Sequence, residues 1–187
     1  SKDGLTAAEM GTALHAFLEH ADFAALAEAK AAGTLDEAIG AECDRQAAAQ
    51  LTAPEIAAKL DAVRIHRFVQ SEAFAKICAA QQVLRELAFI TALPAAEVLA
   101  AQGSPAPDTA PEAQVLVQGI ADLVLVYPDH LELLDYKTDR RKTAADFVRA
   151  YKPQLELYAL AVGKRFAPKP VTYKGIYSLE LGRLIEV

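Results

Sequence analysis

Asp122, Asp135 and Lys137 are the residues of this chain whose types and spacing could do chemistry together. They lie in or beside two runs of apolar and β-branched residues, Val115 to Tyr127 and Leu131 to Tyr136. A carboxylate in such a run is costly unless it is paired or binds a metal. The runs read as two strands, and Pro128-Asp129-His130 between them is turn chemistry. Side chains alternate faces along a strand. Gln118, Ile120 and Asp122 are therefore expected on one face of the first strand, and Leu133, Asp135 and Lys137 on one face of the second. A hairpin that pairs those faces brings two carboxylates and an ammonium to one end of a sheet. Two carboxylates offer hard oxygen ligands to a divalent cation such as Mg2+ or Mn2+. A lysine beside them can orient a water or balance developing negative charge. A structural Asp135–Lys137 ion pair, with Asp122 near a strand end, would use the same residues.

The elements that must position these groups are mostly helical before residue 82 and mixed after it. Thr6-Ala7-Ala8-Glu9 is a capping box that opens a helix, with Met10, Leu14, Phe17 and Leu18 as its apolar stripe. Gly11 interrupts that helix at a cost of about 1 kcal/mol against alanine. Gly11 and His15 are four apart and share a face, where the glycine permits close approach of a backbone or ligand. A histidine there is open to a structural role or a metal role. Thr34 to Glu37 and Thr52 to Glu55 read as two more capping boxes, opening helices over 35–50 and 53–70, and Gly33 reads as a helix stop. A further helix is expected over 71–82. Ala95 to Pro111, rich in Pro and Gly, reads as an irregular connection with one short helical turn. Thr143 to Val162 reads as a helix kinked at Pro153, with Gln154 and Tyr158 on one face. Val171 to Leu179 and Leu184 to Val187 read as strands, with Gly182 in a turn between them.

Five blocks in order carry a resemblance. They are Gly11-Thr12-Ala13-Leu14-His15, Arg85-Glu86-Leu87-Ala88-Phe89, Gln118-Gly119-Ile120-Ala121-Asp122, Leu134-Asp135-Tyr136-Lys137-Thr138-Asp139, and Gln154-Leu155-Glu156-Leu157-Tyr158. Together they resemble the RecB-family nucleases, a branch of the PD-(D/E)xK superfamily, over nearly the whole chain. The resemblance implies a restriction-endonuclease-like α/β fold: a mixed central sheet flanked by helices, with an added N-terminal helical part. It implies one nuclease domain over 1–187, with 1–82 mainly helical and 83–187 as the α/β catalytic core. Val83 to Leu93 could continue a helix by propensity, and the resemblance instead makes it the opening strand. Asp122, Asp135 and Lys137 are the implied catalytic set. His15, Asp122, Asp135 and the Tyr136 carbonyl are the implied ligands of Mg2+ or Mn2+. Gln154 and Tyr158 are implied to face DNA. Glu86 is open to a place near the site or to an ion pair with a basic neighbour.

The net charge of -6 is unusual for a nucleic-acid binder, and its distribution is more informative. Residues 1–136 carry 8 Lys+Arg against 20 Asp+Glu, whereas 137–174 carry 10 against 3. The cations gather after the candidate site, and Arg140, Arg141 and Lys142 form its nearest cluster. Such a run reads either as a solvated face or, beside metal-binding acids, as a phosphate track. Two cysteines, Cys43 and Cys78, cannot build the four-cysteine iron-sulfur cluster of some relatives, and they read as buried thiols in a reducing cytoplasm. No run of about 18 apolar residues predicts a membrane span.

No Gly-x-x-x-x-Gly-Lys-Ser/Thr loop occurs, so this chain alone is not expected to use ATP. It opens on Ser1 without an initiating Met. The expectation is the C-terminal part of a larger RecBCD/AddAB-type helicase-nuclease of double-strand-break repair. That chain would act as an exonuclease, preferably on single-stranded DNA. Its partners would be the helicase part of its own chain and an AddB-type subunit. A stand-alone Cas4- or resolvase-like nuclease and a catalytically inactive DNA-binding module are the alternatives. The missing cysteine cluster counts against Cas4, and the intact Asp-Asp-Lys set counts against inactivity.

Overall fold

The computed structural model describes residues 4–104 and 112–187. In chain order its elements are α1 (Ala7–His20), α2 (Phe23–Ala32), α3 (Leu35–Ala48), α4 (Pro54–Ala57), α5 (Ala62–Val69), α6 (Glu72–Ala79), β1 (Gln82–Pro94), α7 (Ala95–Ala101), β2 (Gln114–Val126), β3 (Leu131–Lys137), α8 (Ala144–Arg165), β4 (Val171–Ser178) and β5 (Arg183–Glu186). The strands form one sheet in the order β1-β2-β3-β4-β5. β1 with β2 and β2 with β3 are antiparallel. β4 runs alongside β3 in the same direction, with Leu131 N–H bonded to the Pro170 carbonyl and Leu179 N–H to that of Lys137. The sheet is therefore mixed, as the resemblance implies, with α8 as the crossover between its parallel strands. Among the described residues no helix is long and apolar enough to cross a membrane.

The chain divides into two compact units. Unit 1 comprises 1–79, 136–140 and 178–184, and unit 2 comprises 80–135, 141–177 and 185–187. In unit 1, Phe23, Phe68 and Phe74 meet ring to ring at 5.7–6.0 Å, among the buried side chains of Leu14, Phe17, Leu26, Ile39 and Ile65. In unit 2, α8 contributes Phe147, Leu155 and Val162 to a core shared with Phe89, Val124, Leu133 and Ile176.

Local sequence rules account for most of the elements. The Thr6–Glu9 capping box forms as expected, and Thr143 with Asp146 builds the same device at the start of α8. Gly33 closes α2 at φ 75°. Two expected capping boxes fail: Thr34 makes no side-chain cap bond, and α4 starts after Ala53 with none. The single helix expected over 53–70 is broken because Asp61 caps a new one, accepting from Arg64 N–H. The last expected N-terminal helix stops at Ala79, where β1 takes over. The irregular stretch after Pro94 begins with α7, and residues 105–111 lie outside the described residues. Pro153 is carried inside a continuous α8 rather than restarting it. Cys78 is exposed and Cys43 half-buried, so the cysteines are not the buried pair expected.

A buried polar knot ties α1 to α3. Glu42, 6% exposed, accepts from Arg45 at 2.6 and 2.8 Å, from Gln46 at 2.9 Å and from the Asp22 N–H at 3.2 Å. Arg45 and Gln46 also donate to the carbonyls of His20 and Phe17. Burial pushes the Glu42 carboxyl up, but the bonds from Arg45 and Gln46 outweigh it and hold it below the usual glutamate range. A carboxyl lowered in the folded state contributes stability that is complete above its unfolded pKa and fades as pH falls through the folded one. Glu42→Gln is therefore expected to destabilise by about 1–3 kcal/mol at pH 7. The deficit should shrink below about pH 4.5. Chemical denaturation of both proteins across pH measures it, and a pH-independent deficit would show that the charge is not responsible.

Candidate active site

The β2–β3 register runs from Val126↔Leu131 to Leu123↔Leu134. Asp122 and Asp135 are the next residue on each strand, so the turn at Pro128–His130 sets the two acids abreast. Leu131 and Leu133 face the core of unit 2, and Asp135 continues their row at 4% exposure. Lys137 follows two residues later on the same strand.

β2 does not alternate regularly through Asp122, as the expected shared face of Gln118, Ile120 and Asp122 assumes. Val117 and Ala121 face the core, and so does Val124, three residues after Ala121. β1 changes phase at the same level: Phe89 and Leu87 pack on that core, and so does Leu84. The register pairs Arg85 with Leu123 and Leu87 with Ala121, which sets Glu86 opposite Asp122 on the rung between. Glu86 has φ 48°, a left-handed conformation inside a strand. Such backbone costs about 1–3 kcal/mol and persists only where its surroundings enforce it. Ile120 is left outside, 53% exposed. Three carboxylates thus lie across neighbouring strands of unit 2: Glu86, Asp122 and Asp135. The sequence alone does not decide the place of Glu86, since a phase slip in both strands at once leaves the β-pattern intact on either side.

On the helix side of this core, Gln154 and Tyr158 are joined, Nε2 donating to the Tyr158 hydroxyl at 3.3 Å. The Tyr158 ring meets Phe89 edge-on at 4.9 Å.

Unit 1 gathers a second set of the expected residues. His15 meets the Tyr136 ring edge-on at 5.7 Å, and Phe68 meets the same ring at 5.7 Å. The Lys137 carbonyl is taken by the Leu179 N–H. The Tyr136 carbonyl points to the opposite edge of β3, as alternation along a strand requires. Gly11 is where the helix touches this strand end: a Cβ there would lie 2.6 Å from Thr138 Oγ1 and 2.9 Å from its Cβ. A cleft of ≈ 400 Å³ is lined by His15, Glu19, Tyr136, Lys137 and Asp139 among others. Glu19, one helical turn after His15, went unnoticed in the sequence because a surface glutamate on a helix carries no signal of its own.

The cation-rich segment is partly spent inside the protein. Lys164 and Arg165 donate to the Ala92 and Ala88 carbonyls of β1, and Lys169 to that of Tyr127. Lys174 pairs with Glu156 at 2.7 Å. Lys142 lies over the Tyr151 ring at 4.8 Å, and Arg140 is 3.9 Å from Glu180. Arg141 is exposed, with φ 60°.

A mixed sheet with a β-α-β crossover, carrying abreast two acids and then a lysine, defines a nuclease of the restriction-endonuclease-like class. Residues 1–182 match the PD-(D/E)XK nuclease superfamily, and the chain belongs to it. Among curated proteins it is similar to an ATP-dependent helicase/nuclease subunit of Pelotomaculum thermopropionicum, 36% identical over 97% of this chain and 13% of that protein. It is similar to the protein of the same name in Heliobacterium modesticaldum, 35% identical over 96% and 12%. The Moorella thermoacetica protein of that name is 38% identical over 87% and 11%. The chain thus spans about an eighth of the length of these relatives.

Gly11→Ala is expected to destabilise by about 1–3 kcal/mol, because the crowding at Thr138 exceeds the helix propensity gained. Thr138→Ala in the same chain should recover part of it by removing Oγ1. Denaturant midpoints of the three proteins measure this, and a more stable Gly11→Ala chain would show that α1 does not need the close approach.

Proposed function

We propose that this chain is a Mg2+- or Mn2+-dependent deoxyribonuclease that hydrolyses phosphodiester bonds. On this reading it is the exonuclease domain of an AddA-type helicase-nuclease that works with an AddB-type subunit in double-strand-break repair and recombination in the cytoplasm. One observation carries the reading: Asp122 and Asp135 stand abreast at the end of the β2–β3 register, with Lys137 two residues beyond. Superfamily membership and the names of the relatives support it.

The donor set suits the ion. Two carboxylates on neighbouring strands, one of them 4% exposed, are hard oxygen donors that a divalent cation would relieve of mutual repulsion. His15 and the Tyr136 carbonyl are assigned as further ligands on the sequence match. When bound, the ion polarises the phosphate and makes water a stronger nucleophile. Asp122 and Asp135 would hold that charge in place. Lys137 orients the attacking water or balances the charge that gathers on the phosphate oxygens. Gln154 and Tyr158 position the strand, and Arg140, Arg141 and Lys142 supply positive charge along its path. Single-stranded DNA is the assigned substrate form, since the sequence holds no phosphate-binding loop to drive unwinding.

The test is cleavage of a labelled single-stranded oligonucleotide with Mn2+. Asp135→Ala and Lys137→Ala should each lose at least roughly 100-fold in rate, the order expected for removing one transition-state contact, with the circular dichroism unchanged. Wild-type cleavage by either variant at equal purity would remove that residue from the mechanism. Persistence in both would overturn the proposed site.

A further inference from the structure

We infer that Gly119 is a positioning residue for Tyr158: the missing side chain is what lets the tyrosine hydroxyl lie against β2, three residues from Asp122. The inference rests on the DNA-nuclease reading above.

Glycine inside a strand loses conformational entropy and packs nothing, so its presence in β2 needs a reason. Backbone freedom is not that reason. Gly33, Gly103 and Gly182 have positive φ, whereas Gly119 does not. Space is. A Cβ at Gly119 would lie 2.8 Å from the Tyr158 hydroxyl oxygen, 2.9 Å from Tyr158 Cζ and 2.8 Å from Phe89 Cζ. Phe89 is the cross-strand partner of Gly119, so the two rings fill the room that a side chain on β2 would take. The seat fixes the tyrosine from three sides. Phe89 meets its ring edge-on, Gly119 lies beneath its tip, and Gln154 donates to its oxygen. The hydroxyl then keeps its own proton for donation. An acceptor oxygen of a strand phosphate is the ligand chemistry that such a donor suits. Any residue larger than glycine must push the hydroxyl off the strand or displace Phe89 from the core. Gly119 therefore acts through Tyr158 and needs no contact with DNA itself.

The experiment is a double-mutant cycle on Gly119→Ala, Tyr158→Phe and the pair. Affinity for a fluorescent single-stranded oligonucleotide is read by anisotropy with Ca2+, and KM and kcat with Mn2+. Losing one hydrogen bond to a charged group should weaken binding roughly tenfold for each single variant. The double variant should be no weaker than either single, because both remove the same contact. The loss should appear in KM and affinity, with the Mn2+-induced rise in melting temperature retained. Wild-type affinity in Gly119→Ala, or losses that multiply to roughly 100-fold in the double variant, would overturn the role of Gly119. If Gly119→Ala does not fold, the same change is made on a Phe89→Leu background, which removes the second ring that the new Cβ would meet. A tenfold loss relative to Phe89→Leu alone then supports the inference, and no loss overturns it. A wild-type chain that neither binds nor cleaves the oligonucleotide would overturn the nuclease reading and this inference together. Cleavage with a multiplicative cycle would reject the role of Gly119 alone.

Discussion

The β2–β3 register is the constraint on which the sheet of this protein depends. Pairing Val124 with Leu133 and Leu123 with Leu134 buries apolar side chains on both faces. The next residue on each strand is an aspartate, so the same register sets the two abreast. A slip of one residue would turn every side chain of β3 to the other face, taking Leu133 out of the core and Asp135 away from Asp122. Burial of leucines therefore does the positioning, and the acids take the place that the hydrophobic pattern leaves them. Two aspartates at facing positions beside an apolar core are costly, and a divalent cation held between them would offset that cost.

The phase slip at Glu86 and Asp122 refines that arrangement. The slip keeps Ala121 and Val124 in one core although they stand three residues apart. Its cost is visible as the positive φ of Glu86. Strain held at a row of acids fits the general tendency of functional sites to carry unfavourable backbone that the surrounding packing enforces. Gly119 and Gly11 show a related economy: at each, a side chain is given up so that another residue can approach closely.

Much of this was legible in the sequence. The two strands of the central hairpin, α1 with its capping box, the α8 helix and the last two strands follow from hydrophobic period and turn chemistry. Asp122, Asp135 and Lys137 stood out because charge in a β-branched run is costly. What the sequence hid falls into two kinds. Caps at Thr34 and Thr52 matched a pattern whose hydrogen bonds depend on backbone angles that the pattern does not specify, and Asp61 caps a further helix, α5, that breaks the expected one. The slip at Glu86, the seat at Gly119 and the self-bonding of Lys164, Arg165 and Lys169 are tertiary effects, created by neighbours distant in sequence. Charge counting in particular treats every cation alike, while several of those after Lys137 serve the fold.

The central claim is that Asp122 and Asp135 together form a divalent-cation site. Anomalous diffraction from crystals grown with Mn2+ tests it most directly, since Mn2+ scatters where Mg2+ is hard to tell from water. The account predicts a peak with a carboxylate oxygen of each aspartate at about 2.1 Å, the distance typical of small hard cations. That peak should vanish in Asp135→Asn crystals grown in the same way. A Mn2+ ion bound elsewhere with both carboxylates left out of its coordination, or an undiminished peak in Asp135→Asn, would contradict it.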